Sequence, residues 1–169
     1  GAAAQTKTFN IVVTPSAGKT WKMVTDVSQL TVGSQIVIAA LRSNYAIGDT
    51  QNSNNRAQTA ITKNGTNISF DDSVVEVLTL TEGKTAGTFA FKVEEGGFLY
   101  AASSSKNYLR TESTLSANSS WNITIDASGA ATIKATGSNT RNWLRHNSQN
   151  GLFACYSSGQ NDVCIYIYA

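Results

Sequence analysis

Apolar and polar positions alternate along most of this chain with a period of two. Gln35-Ile36-Val37-Ile38, Thr88-Phe89-Ala90-Phe91 and Ala131-Thr132-Ile133 each open such a run. Each run is followed by a short phrase with a turn-forming residue, an aromatic and an apolar residue. The phrases are Asn44-Tyr45-Ala46-Ile47, Gly97-Phe98-Leu99-Tyr100 and Asn142-Trp143-Leu144-Arg145. They recur at roughly 45 residues, the signature of one structural unit used three times. Alternation over four to eight residues predicts strands. Unit one is predicted as Ile36–Ala40, Tyr45–Gly48, Arg56–Ile61 and Val74–Leu80, with an additional strand at Asn67–Phe70. Unit two holds Thr88–Val93, Phe98–Ala101, Tyr108–Glu112 and Trp121–Asp126. Unit three holds Ala131–Ala135, Trp143–His146, Leu152–Tyr156 and Val163–Tyr168. The links are turn chemistry, such as Glu95-Gly96-Gly97, Ser128-Gly129 and Asn150-Gly151. Helix content is expected to be small, because no sustained 3.6-residue period occurs.

Two further strands precede the repeats. Residues 5–14 place Phe9, Ile11 and Val13 on one face, and Pro15 ends the run. The segment 1–20 reads as a strand and linker. It is either the remnant of a preceding immunoglobulin-like domain or an extra strand packed on the main body. Trp21–Val24 is a second short strand, and Asp26–Leu30 a turn or single helical turn. The main domain is expected to span 21–169. The opening Gly1-Ala2-Ala3-Ala4 reads as a cloning remnant before a mature or truncated start, so the lack of a visible signal peptide says little about the precursor.

Twelve short strands in three four-strand units resemble a β-trefoil, with a two-sheet β-sandwich as the alternative. The repeat favours the trefoil, since a sandwich has no reason to return one phrase three times. In that register Ala46, Leu99 and Leu144 point inward. Tyr45, Phe98 and Trp143 then project outward at three related positions, with Arg145 beside the last. The alternative reading makes these aromatics packing residues. Trp121 is expected in the barrel, with Ile123 and Ile125 on its face. Ricin-type trefoils carry Gln-x-Trp in each lobe; here Ser119 precedes Trp121 and the other units place valine there, so a ricin-like sugar site is not expected.

Trp21…Val24-Thr25-Asp26, Gly33…Ile36-Val37-Ile38-Ala39-Ala40, Asn55-Arg56, Leu99-Tyr100-Ala101-Ala102-Ser103-Ser104-Ser105 and Phe153-Ala154-Cys155-Tyr156 resemble a module at the C-terminal end of secreted or lipid-anchored proteins of gut anaerobic bacteria. Some of those proteins carry enzymatic domains upstream. The resemblance implies an accessory module at the cell surface or outside the cell. It assigns no site.

Composition narrows the chemistry. Charged residues make up 14%, against roughly 25% in an ordinary soluble domain. The net charge is +2 and the basic residues are scattered, so nucleic acid is not an expected partner. No apolar run is long enough for a membrane-spanning helix. The one histidine, His146, lies beside Arg145 and Asn147 in a strand phrase, and the carboxylates sit mostly at turns. Neither a catalytic triad nor a glycosidase acid pair is evident. No metal or cofactor motif is present. Cys155 and Cys164 would face each other, within reach of a disulfide, if their strands formed a simple hairpin; otherwise they are two buried thiols. The sequence thus points to a non-catalytic, monomeric binding module, with glycan or another surface protein as partner. The alternative is a structural or adhesion module with no small ligand.

Overall fold

The computed structural model describes Ala4 and residues 20–169. The expected strand at 5–14, whether remnant of a preceding domain or extra strand on the main body, lies outside the described residues. Fifteen strands follow in chain order. Before the repeats comes β1 (Trp21–Met23). Unit one holds β2 (Gln35–Ala40), β3 (Tyr45–Gln51), β4 (Arg56–Ala60), the small pair β5 (Thr62–Asn64) and β6 (Asn67–Ser69), and β7 (Leu78–Glu82). Unit two holds β8 (Phe89–Lys92), β9 (Phe98–Ala101), β10 (Leu109–Glu112) and β11 (Trp121–Ile125). Unit three holds β12 (Ala131–Ala135), β13 (Trp143–Asn147), β14 (Leu152–Tyr156) and β15 (Val163–Tyr168). The two helical pieces, Val27–Gln29 and Ala117–Ser119, are single 3₁₀ turns. Each starts at a capping box, on Asp26 and Ser116 respectively, which satisfies backbone donors that so short a turn leaves free.

The first and last strand of each unit close a ring. β2 pairs β7, β7 pairs β8, β8 pairs β11, β11 pairs β12, β12 pairs β15, and β15 returns to β2, all antiparallel. The middle strands of each unit form the hairpins β3–β4, β9–β10 and β13–β14. These hairpins meet one another: Leu152 and Phe153 pair with Ala57 and Arg56, and the Leu109 amide donates to the Asn54 carbonyl at 2.8 Å. A six-stranded ring capped by three hairpins is a β-trefoil, as the repeat implied.

The main core fills the ring and the underside of the cap. Ile36, Ile38, Leu80, Phe91, Trp121, Ile133 and Ile165 come from ring strands, and Ile47, Leu99 and Leu144 from the hairpins. Trp121 occupies the barrel as expected, fully buried, with Ile123 and the half-buried Ile125 against the same core. Its indole N–H donates to the Leu99 carbonyl at 3.2 Å, so the largest core side chain leaves no orphan donor.

A second, smaller core lies on the outside of the ring. Val37 and Ala39 of β2 and Cys164 and Tyr166 of β15 point away from the barrel axis and are nevertheless fully buried. They are covered because β1 pairs β15, β6 pairs β1, and β5 pairs β6, adding strands over that wall. Ile61, Ile68, Val75 and the half-buried Trp21 and Phe70 complete the layer. This accounts for the unbroken runs Ile36–Ala40 and Val163–Ile167: a strand covered on both faces has no wet positions to alternate with. β11 and β12 keep alternation, Trp-Asn-Ile-Thr-Ile and Ala-Thr-Ile-Lys-Ala, because one face is solvated.

Two expectations need correction, and one that holds gains an unforeseen partner. β14 and β15 do not form a hairpin: β14 pairs with β13 and β4, and β15 with β1, β2 and β12. Cys155 therefore faces the main core opposite Leu144, while Cys164 belongs to the outer core opposite Ala39. The barrel wall separates them, and both are free buried thiols. Burial raises both thiols, Cys164 to about 11. Second, the strand expected at Val74–Leu80 begins only at Leu78; Val75 makes an isolated bridge to Gly48. The strand predicted at Asn67–Phe70 has a partner that sequence reading did not find, β5.

Candidate functional site

The repeated phrase is offset by one residue in unit one. Across the ring, Lys92 pairs with Phe98, Lys134 with Trp143, and Ala39 with Ala46. Ile47, Leu99 and Leu144 are the three inward residues, all fully buried in the main core. The outward slot is thus Ala46, Phe98 and Trp143. The expected aromatic triplet Tyr45, Phe98 and Trp143 is not symmetric, because a one-residue shift in a strand exchanges its two faces. Ala46 is small for a physical reason: it lies under the outer core, where Ile61, Ile68 and Tyr166 leave no room for a ring.

Tyr45 instead stands where units two and three carry Gly97 and Asn142. It is 38% exposed. Its ring stacks on His146 with centroids 6.3 Å apart and planes 27° apart. Phe98 is half-buried on β9, in another unit, and does not join this group. Trp143 is half-buried with Lys134 at 4.7 Å and Arg145 at 4.2 Å over its ring. Its π surface is already engaged by two cations.

Arg145, 8% exposed, spends its guanidinium on the loop before β15. Nε donates to the Gly159 carbonyl at 3.0 Å and NH2 to the Gln160 carbonyl at 3.0 Å. NH1 donates to Asp162 Oδ1 at 2.7 Å. Gln160 holds a left-handed φ of 67°, which this clamp supports. Arg145 is therefore a positioning residue. It presents Asp162, whose other oxygen, Oδ2, accepts from Arg42 NH1 at 2.6 Å. The bonds from Arg42 and then Arg145 hold the Asp162 carboxyl below the usual carboxylate range.

These contacts frame a cleft of about 180 Å³ between units one and three. Arg42 and Ser43 line one side, His146 and Ser148 the other, with Asn161 and Asp162 between. Asn161 is locked in place: its amide and carbonyl pair with His146 backbone at 2.9 and 3.1 Å, and its side chain donates to Ser148 Oγ at 2.9 Å. His146 is buried, packs on Phe153 at 4.8 Å, and its Nε2–H donates to Gln58 Oε1 at 2.8 Å. Burial lowers its pKa, so the ring is neutral at pH 7. Its side-chain partner is an amide and not a carboxylate, so the orienting acid of a triad is absent among the described residues. No group of three His, Cys, Asp or Glu residues able to hold a metal occurs among them either.

Larger hollows of about 380 and 410 Å³ flank Trp21, and both include Asp72. Their aromatic rings are packed on each other, Trp21 to Phe70 at 5.2 Å and to Tyr168 at 4.8 Å. At the smaller cleft the polar groups line the opening, and Tyr45, 38% exposed, stacks on the lining residue His146.

A buried ion pair under the cap escaped sequence reading. Arg56 and Glu76 are each 1% exposed, with NH2 and Oε1 3.5 Å apart. Arg56 NH2 also donates to the Gly48 carbonyl at 2.9 Å, and Glu76 Oε1 accepts from the Glu94 amide at 3.2 Å. Burial raises the Glu76 carboxyl, opposed by Arg56. Counting from the pairs Ile47–Gln58, Leu99–Thr111 and Leu144–Cys155, Arg56 occupies the slot of Leu109 and Phe153. Gly48 fits the same region closely: a Cβ there would stand 2.9 Å from the Ala57 carbonyl oxygen.

No protein-family model and no curated protein sequence matches this chain. Solved structures do. A GH43 β-1,3-galactosidase matches over 86% of this chain with a TM-score of 0.63 and 14% identity. A GlcNAcα1-4Gal-releasing endo-β-galactosidase from Clostridium perfringens matches over 80%, with a TM-score of 0.56 and 12% identity. The chain spans 29% and 32% of the lengths of those two proteins. The BEL β-trefoil matches over 82% of this chain and 95% of its own, with a TM-score of 0.56 and 17% identity. At these identities the likeness establishes the fold, and the fold is the β-trefoil.

Proposed function

We propose that this chain is a non-catalytic glycan-binding module of a secreted or cell-surface protein, and that the cleft beside Tyr45 receives the sugar. The observation that carries this reading is a polar cleft whose lining residue His146 is stacked by the part-exposed ring of Tyr45. Sugars offer C–H faces that pack on aromatic rings and hydroxyls that bridge carboxylates, amides and guanidinium forks. Tyr45 supplies the ring. Arg42, Ser43, Ser148, Asn161 and Asp162 supply the polar groups, and Arg145 holds Asp162 in place. The positions are preorganised, which limits the entropy lost on binding. The overlap with part of two galactosidases supports an accessory role beside an upstream enzyme, as does the resemblance to surface proteins of gut anaerobes.

A glycan microarray tests this. Binding that disappears in Tyr45→Ala, with the thermal melt unchanged, is the expected result. A folded chain that binds no glycan would favour the structural or protein-interaction reading, in which Trp143 and Phe98 only pack.

A further inference from the structure

The cleft assigned to sugar carries an unbalanced positive charge, and we infer that its ligand is an anionic glycan bearing a carboxylate or sulfate group. This rests on the glycan reading and sharpens it. Two guanidinium groups, Arg42 and Arg145, share the single carboxylate of Asp162. No second carboxylate lines the cleft among the described residues. Burial lowers the His146 pKa, so its ring adds no positive charge at pH 7. Lys63, with its ammonium 2.8 Å from the carbonyl of the cleft residue Ala40, adds positive potential behind the wall. At the mouth itself, Arg42 and Arg145 against Asp162 leave one net positive charge.

The geometry says which group bears it. Arg145 is buried and uses all three of its nitrogens on the loop. Arg42 has a side chain 73% exposed and spends only NH1, on Asp162. Among the described residues its Nε and NH2 make no hydrogen bond. A fork with two donors free, held at one end by an ion pair, matches a planar carboxylate or a sulfate bidentately. Tyr45 stacks on His146, which lines the same cleft as Arg42, so a sugar ring against Tyr45 can direct a substituent toward Arg42. Ser148 and Asn161 then remain for neutral hydroxyls.

The test uses an array of neutral glycans, including lactose and N-acetyllactosamine, each beside its 3′-sialyl and 3′-sulfo derivative. Expected is a preference of roughly tenfold for the anionic members, the scale of one charge-assisted bidentate contact. That preference shrinks between about 0.05 M and about 0.5 M salt. Comparing the sialylated and sulfated members identifies the anion. Arg42→Gln removes the preference, Arg42→Lys restores part of it, and Lys106→Gln, which deletes an exposed charge elsewhere, keeps it. Tyr45-dependent binding that ignores the anion overturns the charge assignment and leaves the glycan reading intact. Absence of binding to every member overturns both.

Discussion

Units one and three fold the same four strands, yet their walls are built differently. In unit three the outward slot holds the half-buried Trp143, with Lys134 and Arg145 over its ring. In unit one the same slot holds Ala46, sealed beneath β1, β5 and β6. Beneath the cap the contrast reverses. Unit three fills its inner slot with Phe153, whereas unit one places Arg56 there with Glu76. A threefold scaffold thus tolerates exchange of polar and apolar residues at equivalent positions, provided each is given its own cover or partner. The cleft lies where these unlike units meet, so symmetry alone would not produce it.

The largest effect should come from the polar slot. Arg56→Leu imitates the other two units but strands the Glu76 carboxylate, at a cost of about 3–5 kcal/mol by chemical denaturation. Adding Glu76→Met should recover most of that loss, because a well-packed apolar pair of similar volume often matches a buried ion pair. A double variant as unstable as the single one would show that Arg56 does more than neutralise Glu76.

Exchange of the outward residues comes next. Ala46→Trp forces an indole into the outer core and should cost about 3 kcal/mol, with β5 and β6 losing protection from hydrogen exchange first. The reciprocal Trp143→Ala should cost only about 1–2 kcal/mol, since the ring is half-exposed and loses chiefly its cation contacts. Equal costs would mean that the two walls are alike after all.

The smallest effect concerns acid. Asp162 has a depressed carboxyl pKa in the folded chain. Its contribution is present above the unfolded value of about 3.9 and is lost as pH falls through the lower folded value. Asp162→Asn should therefore flatten the stability profile below about pH 4, and leave Arg145 with one fewer charged partner. A profile identical to the parent would show that the ion pairs are too solvated to matter.

The sequence carried much of this. Phe98–Ala101, Ala131–Ala135, Leu152–Tyr156 and Val163–Tyr168 are strands at the expected limits, because alternation and turn residues act locally. The run at Ile36–Ala40, expected to alternate, is buried throughout because added strands cover its outer face. The site was harder to read. Aligning aromatic with aromatic placed Tyr45 beside Phe98 and Trp143, while the pairing of Ala46 with Ala39 makes Tyr45 a departure from the repeat. That departure was itself a usable signal: a large exposed ring stands where the other units have glycine and asparagine. Asp162 and Asn161 gave none, for they reach the cleft only through a loop that Arg145 ties down from 14, 15 and 17 positions away.

By itself the order of residues determined three units, twelve repeat strands and a barrel core, since period-two burial and turn chemistry depend on neighbours along the chain. Tertiary structure alone decided that the two thiols lie on opposite sides of the wall, that Arg56 finds Glu76, and that Arg42 and Asp162 meet 120 positions apart. Those outcomes depend on which strands become neighbours when the ring closes, and on which faces the added strands then cover.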